Sequence, residues 1–353
     1  MQSSHYDIII VGQGICGTVL SSALIEQNLK VLVIDDGNHK AASKIASGVI
    51  NPVTGRRIVK TWQIDTVMPA AVRIYKALEN KLDISIIRQC NIVNFHASEQ
   101  MQYAFAERIA QDPTYLSPQT LPDRITSAFD TSLGYSVIDP CWLVHLDNLL
   151  SAWRHYLIEK NALLQDAFDF KKMKVSEDQI IYDHITANKI IFCEGAKGQD
   201  NPYFKQLPFA PNKGEALLVD IKNLDNQFIY KKALSIVPWK DSIFWVGSNY
   251  EWNNYNDEPS PSFKEKTIAT LNEWLLVPFE VVDHIAAIRP ANTERRPFVG
   301  MHPIYKNIGI FNGMGTKGCS LAPYFAEEFV AHLLHETKID KEADINRFNI
   351  LAP

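Results

Sequence analysis

The sequence lacks the features that mark secreted, membrane-spanning and nucleic-acid-binding proteins. Five cysteines are scattered over 353 residues without a C-x-x-C pair, which predicts reduced, mostly buried thiols and a cytoplasmic protein; no metal site is predicted. No uninterrupted apolar stretch reaches the roughly 18 residues of a membrane-spanning helix, and residues 1–7 lack the basic character of a secretion signal. Acidic residues outnumber basic ones by 40 to 35, so the net charge of -5 gives no electrostatic reason to expect nucleic acid as a partner.

The chain is long and apolar enough to bury a sizeable core. Its 353 residues, 46% of them hydrophobic, fit two domains, or one large domain with a second one inserted. Residues 6–11, 18–27 and 30–34 predict a buried strand, a helix and a second buried strand, and therefore a parallel sheet. From residue 214 the pattern changes to short strand-like runs separated by turns, which is typical of an antiparallel sheet.

The same patterns predict the remaining elements. Helices are predicted over residues 66–81, 97–111, 143–160, 261–276 and 321–334. Strands are predicted over residues 85–95, 134–140, 189–193, 215–220, 228–238, 242–246 and 308–311. Because nucleotide-type elements occur at both ends and in the middle, the domains are expected to be interleaved rather than consecutive.

The turn after the first strand carries a dinucleotide fingerprint. Gly12, Gly14 and Gly17 form G-x-G-x-x-G, with Ile15 and Cys16 between the last two glycines. The first glycine permits a tight turn, the second lets the backbone approach a pyrophosphate, and the third lets the helix pack closely on the strand. The N-terminus of the helix then offers free N–H groups and a partial positive charge to the phosphates.

Acidic residues end the second strand. Asp35 lies 18 residues beyond Gly17, where its carboxylate can accept hydrogen bonds from the adenosine ribose hydroxyls. The same charge repels a 2′-phosphate, which argues against NADP. Asp36 either caps the turn or shares the ribose. The fingerprint by itself does not separate NAD from FAD.

The loop at residues 41–57 bears on that choice. Small side chains and a glycine let the backbone pass close to a flat ring and donate N–H groups to it. The candidate cofactor contacts in this loop are Ser43, Ser47, Gly48 and Val49. A flexible surface loop is the alternative.

Arg289 is the candidate substrate anchor. It follows the apolar run at residues 285–288, so it is expected at a strand end inside the molecule. A buried arginine needs an anionic partner, and a substrate carboxylate offers bidentate geometry. A structural ion pair, for instance with Glu294, is the alternative.

A second glycine-rich segment directly precedes the last predicted helix. A helix N-terminus aimed at a flavin ring stabilises the negative charge that the reduced ring carries around N1. The candidates in this segment are Gly313, Met314, Gly315, Thr316, Lys317 and Gly318. An ordinary turn is the alternative, and the lysine either adds charge or is simply solvated.

The chain resembles the D-amino-acid oxidase family of FAD-dependent flavoproteins, and within it most of all the glycine oxidases and the FAD domain of the tRNA methylaminomethyl-uridine biosynthesis enzyme. The resemblance rests on five places that follow the family's order. They are the fingerprint with Asp35, residues 46–48, residues 193–196 with 212–215, residues 288–290 with 296–300, and residues 312–318 with 321–323. Together these places span nearly the whole chain.

The resemblance implies an α/β (mixed α+β) fold with FAD as the cofactor. A Rossmann-like FAD-binding domain is interleaved with a substrate domain built on a mixed, largely antiparallel sheet. The implied segments are residues 1–80, 140–213 and 285–353 for the FAD domain and residues 81–139 and 214–284 for the substrate domain. Glu194 and Gly195 join the implied FAD contacts, as does Phe168 near the adenine, for which a core aromatic is the alternative.

The implied reaction is oxidation of the C–N bond of an amino acid or secondary amine by hydride transfer to flavin N5, with oxidase and dehydrogenase both open. The alternative is an FAD-dependent tRNA-modification enzyme acting on a carboxymethylaminomethyl-uridine, with a local basic patch of Arg56, Arg57 and Lys60. A non-catalytic flavoprotein is a third possibility. Ser235 stands where glycine oxidases have a tyrosine, and Trp245 where sarcosine-oxidase relatives have a lysine, so the pocket copies neither.

Overall fold

A computed structural model describes residues 4–55, 57–117, 120–252 and 255–349 of the chain. Within these ranges the α-helices are α1 (Ile15–Glu26), α2 (Ala42–Ile45), α3 (Ile64–Leu82), α4 (Glu99–Gln111), α5 (Asp123–Thr126), α6 (Leu146–Glu159), α7 (Pro261–Trp274) and α8 (Gly318–His335). Short 3-10 helices cover Phe170–Lys172, Gly195–Asp200 and Ile345–Arg347.

The strands of these ranges fall into two large sheets and two small ones. The strands are β1 (Ser4–Val11), β2 (Val31–Ile34), β3 (Val49–Ile50), β4 (Val53–Thr54), β5 (Val59–Lys60), β6 (Ile87–Gln89), β7 (Ile92–Phe95), β8 (Leu116–Ser117), β9 (Tyr135–Ile138), β10 (Trp142–Val144), β11 (Leu163–Leu164), β12 (Met173–Val175), β13 (Ile180–Tyr182), β14 (Ile185–Phe192), β15 (Asn212–Asp220), β16 (Ile229–Lys231), β17 (Ser235–Lys240), β18 (Ile243–Gly247), β19 (Glu251–Trp252), β20 (Glu280–Arg289), β21 (Phe298–Met301) and β22 (Ile308–Asn312).

The first large sheet has a parallel centre. Its strands run in the order β11-β2-β1-β14, with β13 and β12 beside the first half of β14 and β22 and β21 beside the second half. β11, β2, β1, β14 and β22 are parallel, so their carboxyl ends meet at one edge. All four residues of β2 and the last four of β1 are buried, as expected for continuous apolar strands covered on both faces.

Helices that begin at glycine turns cover one face of this sheet. α1 begins at Ile15, inside the fingerprint, and α8 begins at Gly318, inside the second glycine-rich segment; both begin three residues earlier than predicted. α8 packs against α1 and α3. The helix predicted from residue 143 begins only at Leu146, because β10 pairs with β3 and β6.

The second large sheet is mixed and largely antiparallel, as predicted. Its strands run in the order β20-β15-β18-β17-β16-β7-β9-β8, with β19 beside the start of β15, and β16 and β7 are its parallel pair. One face packs on α7 through an aromatic cluster. The Phe129 ring lies 4.7 Å from that of Tyr230 and 4.9 Å from that of Trp274. The other face is turned towards the first sheet.

Two predicted single strands are pairs of strands. Residues 85–95 divide into β6 and β7, which belong to different sheets, because Cys90 N donates to Cys141 O at 2.9 Å as the chain steps from one sheet to the other. Residues 228–238 form the hairpin of β16 and β17, closed by a hydrogen bond from Lys232 N to Leu234 O at 3.0 Å.

Strand pairing follows the interleaved order expected from the sequence. The described strands of the parallel-centred sheet come from residues 4–34, 163–192 and 298–312, and those of the other large sheet from residues 92–138 and 212–289. The exact segment boundaries stay a prediction. β20 runs through the boundary set at residue 285 and stays paired with β15 as far as Arg289.

The structure agrees with the sequence on the thiols. All five cysteines are free and buried.

None of the described helices is both long and apolar enough to cross a membrane. Over the same ranges, no group of three or more histidine, cysteine and acidic side chains is arranged to hold a metal ion.

Tyr75 tests the junction between α3 and α8. Its side chain is fully buried, and its hydroxyl donates to the carbonyl oxygen of Cys319 in the first turn of α8 at 2.9 Å. Tyr75→Phe leaves that carbonyl unpaired, so we expect the free energy of unfolding to fall by about 1–2 kcal/mol in urea denaturation. Tyr103→Phe, at a position 73% exposed, is the control and should change it by less than ~0.5 kcal/mol. Equal stability of the two variants would contradict the assignment.

Candidate active site

A cavity of about 680 Å³ lies between the carboxyl edge of the parallel strands and the exposed face of the other large sheet. Arg289 lines it, and so do 17 of the 20 predicted cofactor contacts. These are Gly12, Gly14, Ile15, Cys16, Asp35, Asp36, Ser43, Ser47, Gly48, Val49, Phe168, Glu194, Gly195, Met314, Gly315, Thr316 and Gly318. Residues from six separate segments of the chain therefore meet around one space.

The other three predicted contacts lie just behind the lining. A Cβ on Gly17 would stand 1.8 Å from the carbonyl oxygen of Gly12, so this glycine lets α1 pack on the turn, as predicted for the third glycine. A Cβ on Gly313 would stand 2.9 Å from the ring of Phe298. Lys317 directs its ammonium to the hydroxyl of Thr61 at 3.2 Å.

The fingerprint turn is shaped by backbone contact. Gly12 has a φ of +99°, and a Cβ there would stand 2.6 Å from the carbonyl oxygen of Cys193. Gly14 is the N-cap of α1 and has no side chain with which to cap the helix. The hydroxyl of Ser43 serves instead, because it accepts a hydrogen bond from Ile15 N at 3.0 Å. The first turn of α1 thus opens onto the cavity, where its dipole favours negative charge.

Asp35 is held from three sides. Its carboxylate accepts hydrogen bonds from Gln13 N and Gly37 N, both at 2.8 Å, and from Arg154 Nη1 at 2.7 Å. Arg154 comes from α6 and also donates to Gln13 Oε1 at 3.2 Å. This arginine has no signature in the sequence, because it lies 119 residues from its acidic partner and carries no local motif. The ion pair fixes the carboxylate at the end of β2, in the position predicted to meet a ribose.

Two further acids stand at the same edge. Burial opposes ionisation of Asp36, but the N–H of Asn38 and the ammonium of Lys197 outweigh it and lower the pKa. At Glu194 burial dominates and raises the pKa to about 7, although Asn201 Nδ2 donates to the carboxylate at 2.7 Å. Glu194 thus stays partly protonated near neutral pH.

Glu194 makes the stability of the protein depend on pH. A carboxyl whose pKa is raised in the folded state stabilises the fold below its unfolded pKa and loses that contribution as pH rises through the folded value. Glu194→Gln removes this loss, so its melting temperature should exceed that of the wild type by at least ~2 °C at pH 8 and match it at pH 4. Exposed Glu177→Gln is the control and should follow the wild type at both pH values. An equal difference at both pH values would refute the assignment.

Phe168 packs in an aromatic cluster at the cavity, and its contact with the adenine stays a prediction. It lines the cavity, and its ring also stacks on Tyr182 at 4.8 Å and meets Phe170 at 5.1 Å and Phe192 at 5.6 Å. The ring is therefore part of the aromatic packing and also reaches the cavity wall.

The second glycine-rich segment is tied to the end of β20. Gly315 N donates to the carbonyl oxygen of Pro290 at 3.1 Å, and Asn292 Nδ2 donates to that of Gly313 at 2.9 Å. Lys317 precedes α8, and burial together with the charge of Lys231 lowers its pKa to about 8. A helix N-terminus and an amine therefore lie side by side at this end of the cavity.

Arg289 ends β20 with its guanidinium at the cavity. Nη1 donates to Asn212 Oδ1 at 2.9 Å, to Asn249 O at 3.0 Å and to Lys213 O at 3.3 Å, and Nη2 donates to Ser248 Oγ at 2.9 Å. Every one of these acceptors is neutral. The ion pairs of the described residues include none of Arg289; the predicted alternative partner, Glu294, pairs with Arg347 instead, and burial lowers the pKa of Arg289.

Gly214 makes room for that guanidinium. A Cβ on Gly214 would stand 1.8 Å from Nη2 and 2.0 Å from Cζ of Arg289, so the charged group rests directly on the glycine backbone. On the other side it lies 4.6 Å from the ring centre of Tyr250, close enough for a cation–π contact. The guanidinium is thus held flat between a backbone and a ring.

Gly214→Ala should displace Arg289 without removing it. We expect the affinity of the holoprotein for acetate, measured by perturbation of the visible flavin spectrum, to fall roughly 10- to 100-fold through lost charge-assisted hydrogen bonds. The FAD content should be unchanged. Gly55→Ala is the control: its new methyl would meet no atom within 4 Å, and although the φ of +78° at this turn costs some stability, the affinity for acetate should stay at the wild-type value. Unchanged acetate binding in Gly214→Ala would show that the guanidinium does not hold the anion.

The two departures from related sequences face the cavity together. Ser235 and Trp245 both line it. The Trp245 ring lies against the backbone of Gly247, where a Cβ would stand 2.9 Å from its Cη2, and Nε1 donates to Ile45 O at 3.0 Å. An indole therefore occupies the middle of the sheet face and ties it to the loop after β2.

Comparison with known proteins agrees with this architecture. The family model described as FAD dependent oxidoreductase (DAO) matches residues 7–332. The glycine oxidase of Bacillus licheniformis is 23% identical over 346 residues, which cover 92% of this chain and 91% of that protein. The bifunctional tRNA 5-methylaminomethyl-2-thiouridine biosynthesis protein of Caulobacter vibrioides is 22% identical over 344 residues, which cover 93% of this chain but 54% of that protein. The crystal structure of glycine oxidase from Geobacillus kaustophilus has the same fold, with a TM-score of 0.79, 17% identity and 96% of each chain covered.

Proposed function

Because the chain belongs to the DAO family of FAD-dependent oxidoreductases, we propose that it oxidises the C–N bond of a small amino acid or N-substituted amino acid whose carboxylate is bound by Arg289. FAD is the cofactor, and when bound it accepts the hydride that leaves the carbon next to the nitrogen. The protein's own part is to bind and orient the two reactants and to stabilise the charges that they carry.

The residues present fit FAD at both ends of the cavity. The glycine turn at residues 12–17 and the open first turn of α1 suit a diphosphate, and the fixed carboxylate of Asp35 suits a ribose. The loop at residues 43–49 and the segment at 313–318 are proposed to hold the ring. Lys317 and the N-terminus of α8 would stabilise negative charge on it.

The free donors of Arg289 carry the substrate assignment. Of the two N–H groups on Nη2, one donates to Ser248, which leaves the other for a ligand. A cation taken out of water with only neutral acceptors is poorly compensated, and a carboxylate entering the cavity would supply the missing charge. This supports an acid on the substrate rather than a simple amine.

The described part of the cavity lining contains no histidine. Glu215, a lining acid on β15, the strand paired with the β20 strand of Arg289, already accepts hydrogen bonds from Ser260 N at 2.6 Å, Ser260 Oγ at 2.8 Å and Asn249 Nδ2 at 3.0 Å. We therefore propose that the amine binds in its neutral form and that no side-chain base is needed to start the reaction.

The direct test is anaerobic reduction of the bound flavin. The holoprotein is mixed with glycine, N-methylglycine and larger amino acids of both configurations, and each is paired with the amine that lacks its carboxylate. We expect bleaching of the visible flavin band by at least one acid and slow or absent bleaching by its partner amine. A protein that binds FAD but is reduced by none of them, or equally by acid and amine, would refute the proposal.

Arg289→Lys separates carboxylate binding from chemistry. A lysine keeps the charge but loses the planar fork, so we expect the KM for the best substrate to rise roughly 100-fold, equivalent to about 2.7 kcal/mol. The limiting rate of flavin reduction should change far less. Arg124→Lys, at an exposed ion pair with Asp225, is the matched control with wild-type kinetics. A normal KM in Arg289→Lys would exclude the anchor role.

The tRNA alternative has less support. Of its expected basic patch, Arg56 lies outside the described residues, and the ammonium of Lys60 is paired with Asp65 at 3.5 Å and Asp112 at 3.2 Å. A cation already neutralised by two carboxylates contributes little to phosphate binding. We therefore propose a small-molecule substrate, and a salt-sensitive gel shift with tRNA would speak against this choice.

A further inference from the structure

The basic side chains that line the cavity differ in whether they have a partner within the protein. Lys40 is paired with Asp257 and Glu258, Lys197 lies 3.4 Å from Asp36, and Lys44 donates to the carbonyl oxygen of Gly37 at 2.9 Å. These three lie at the nucleotide end of the cavity, which is the end lined by the fingerprint turn and Asp35. Two more belong to the sheet, Arg289 and Lys231.

Lys231 lines the cavity without a counter-ion. In the described ranges of the chain its ammonium makes neither an ion pair nor a hydrogen bond with protein. Burial lowers its pKa, and its charge also helps to lower that of Lys317. Two half-buried amines, Lys231 and Lys317, therefore lie close enough for the charge of one to disfavour that of the other. Such a pair is unfavourable until an anion arrives.

Strand register places Lys231 on the same sheet face as the Arg289 guanidinium. Lys231 on β16 is opposite Ser235 on β17, which is opposite Gly247 on β18, which is opposite Ala216 on β15. Directly opposed residues share a face, and Gly214, under the guanidinium, is two residues from Ala216 on β15. Arg289 belongs to β20, four strands along from β16, but its guanidinium lies over Gly214 on β15, which is three strand spacings from Lys231, or about 14 Å between strand axes.

The face between them suits a short carbon chain. Ser235, Gly247 and Ala216 on this path are small, and the Trp245 indole lies against the backbone of Gly247. The opposed residues from Lys231 to Ala216 include no acidic side chain, and Glu215, which also lines the cavity, is hydrogen-bonded to Ser260 and Asn249. A ligand that is neutral in the middle and anionic at both ends would match the face.

We propose that Lys231 binds a second anionic group of the substrate, so that the enzyme prefers amino acids that carry two acidic groups. This inference rests on the proposed function, in which Arg289 binds the first carboxylate. Lys317 remains next to the predicted ring segment, so its charge is used by the cofactor and not by the distal acid.

The test measures binding of unreactive acids to the holoprotein through perturbation of its flavin spectrum. The probes are succinate, glutarate and adipate, each compared with its monoamide, which has the same length and one charge less. We expect at least one diacid to bind at least tenfold more tightly than its monoamide. Lys231→Gln should bring that ratio close to one, and Lys231→Met should do the same without a polar replacement.

Lys232→Gln is the matched control. Lys232 follows directly in sequence, but its ammonium pairs with Asp130 at 3.6 Å and does not line the cavity, so the preference for the diacid should persist. Equal binding of all three diacids and their monoamides in the wild type would overturn the inference. So would a preference that survives both changes at Lys231, or one that Lys232→Gln abolishes.

Flavin reduction by glutamate, glutamine, aspartate and asparagine separates this inference from the function on which it rests. Reduction without a preference for the diacid means that the proposed function holds and the second anion site fails. A preference for the diacid in binding that depends on Lys231, without flavin reduction by any amino acid, means that the second anion site holds and the proposed function fails. Both together, with reduction fastest for an acid of two negative charges, support both.

Discussion

The cavity exists because stretches of backbone approach each other more closely than side chains would allow. A Cβ at Gly12 would stand 2.6 Å from Cys193 O, one at Gly17 would stand 1.8 Å from Gly12 O, and one at Gly48 would stand 2.0 Å from Val144 O. These contacts join the first turn, the segment after β14, the loop after β2 and the end of β10 around one point. Since none tolerates even a methyl group, the position of the cofactor end follows from glycine placement more than from any polar contact.

Charge is distributed unevenly along this space. Asp35, Asp36 and Glu194 stand at the carboxyl edge of the parallel strands, whereas Arg289 and Lys231 stand on the sheet opposite. The acids at the nucleotide end have donors close by, including Arg154 and Lys197. The cations at the sheet end have neutral acceptors or none. Asp35 and Asp36 therefore have cationic partners within the protein, whereas the described residues supply no ion-pair partner to Arg289 or Lys231.

The sequence was informative where function depends on backbone shape. Gly12, Gly14 and Gly17 announce a turn that few other residues can form, and the apolar run before Arg289 correctly placed it at a strand end inside the molecule. Local patterns also identified most helices and strands, but they joined β6 to β7 and β16 to β17, because periodicity does not register a change of sheet within an apolar run.

Contacts between residues far apart in the chain could not be predicted from the sequence, because they depend on how the strands pair. Arg154 meets Asp35 across 119 residues, and Lys231 faces the cavity only because β16 pairs in parallel with β7 and antiparallel with β17. Neither residue has neighbours in sequence that distinguish it from a solvated cation. Trp245 was recognised as a departure, but its hydrogen bond to Ile45 depends on the meeting of two segments 200 residues apart.

The bond between Gly315 and Pro290 couples two parts of the site that could have varied separately. The residue after the substrate anchor holds the loop predicted to lie against the ring, so any shift of β20 moves both together. The proposed acid site at Arg289 and the proposed ring segment at residues 313–318 are therefore joined directly through backbone. Differences in substrate between such enzymes would then arise from side chains on β16, β17 and β18. These strands can change their side chains without moving the acid site relative to the ring.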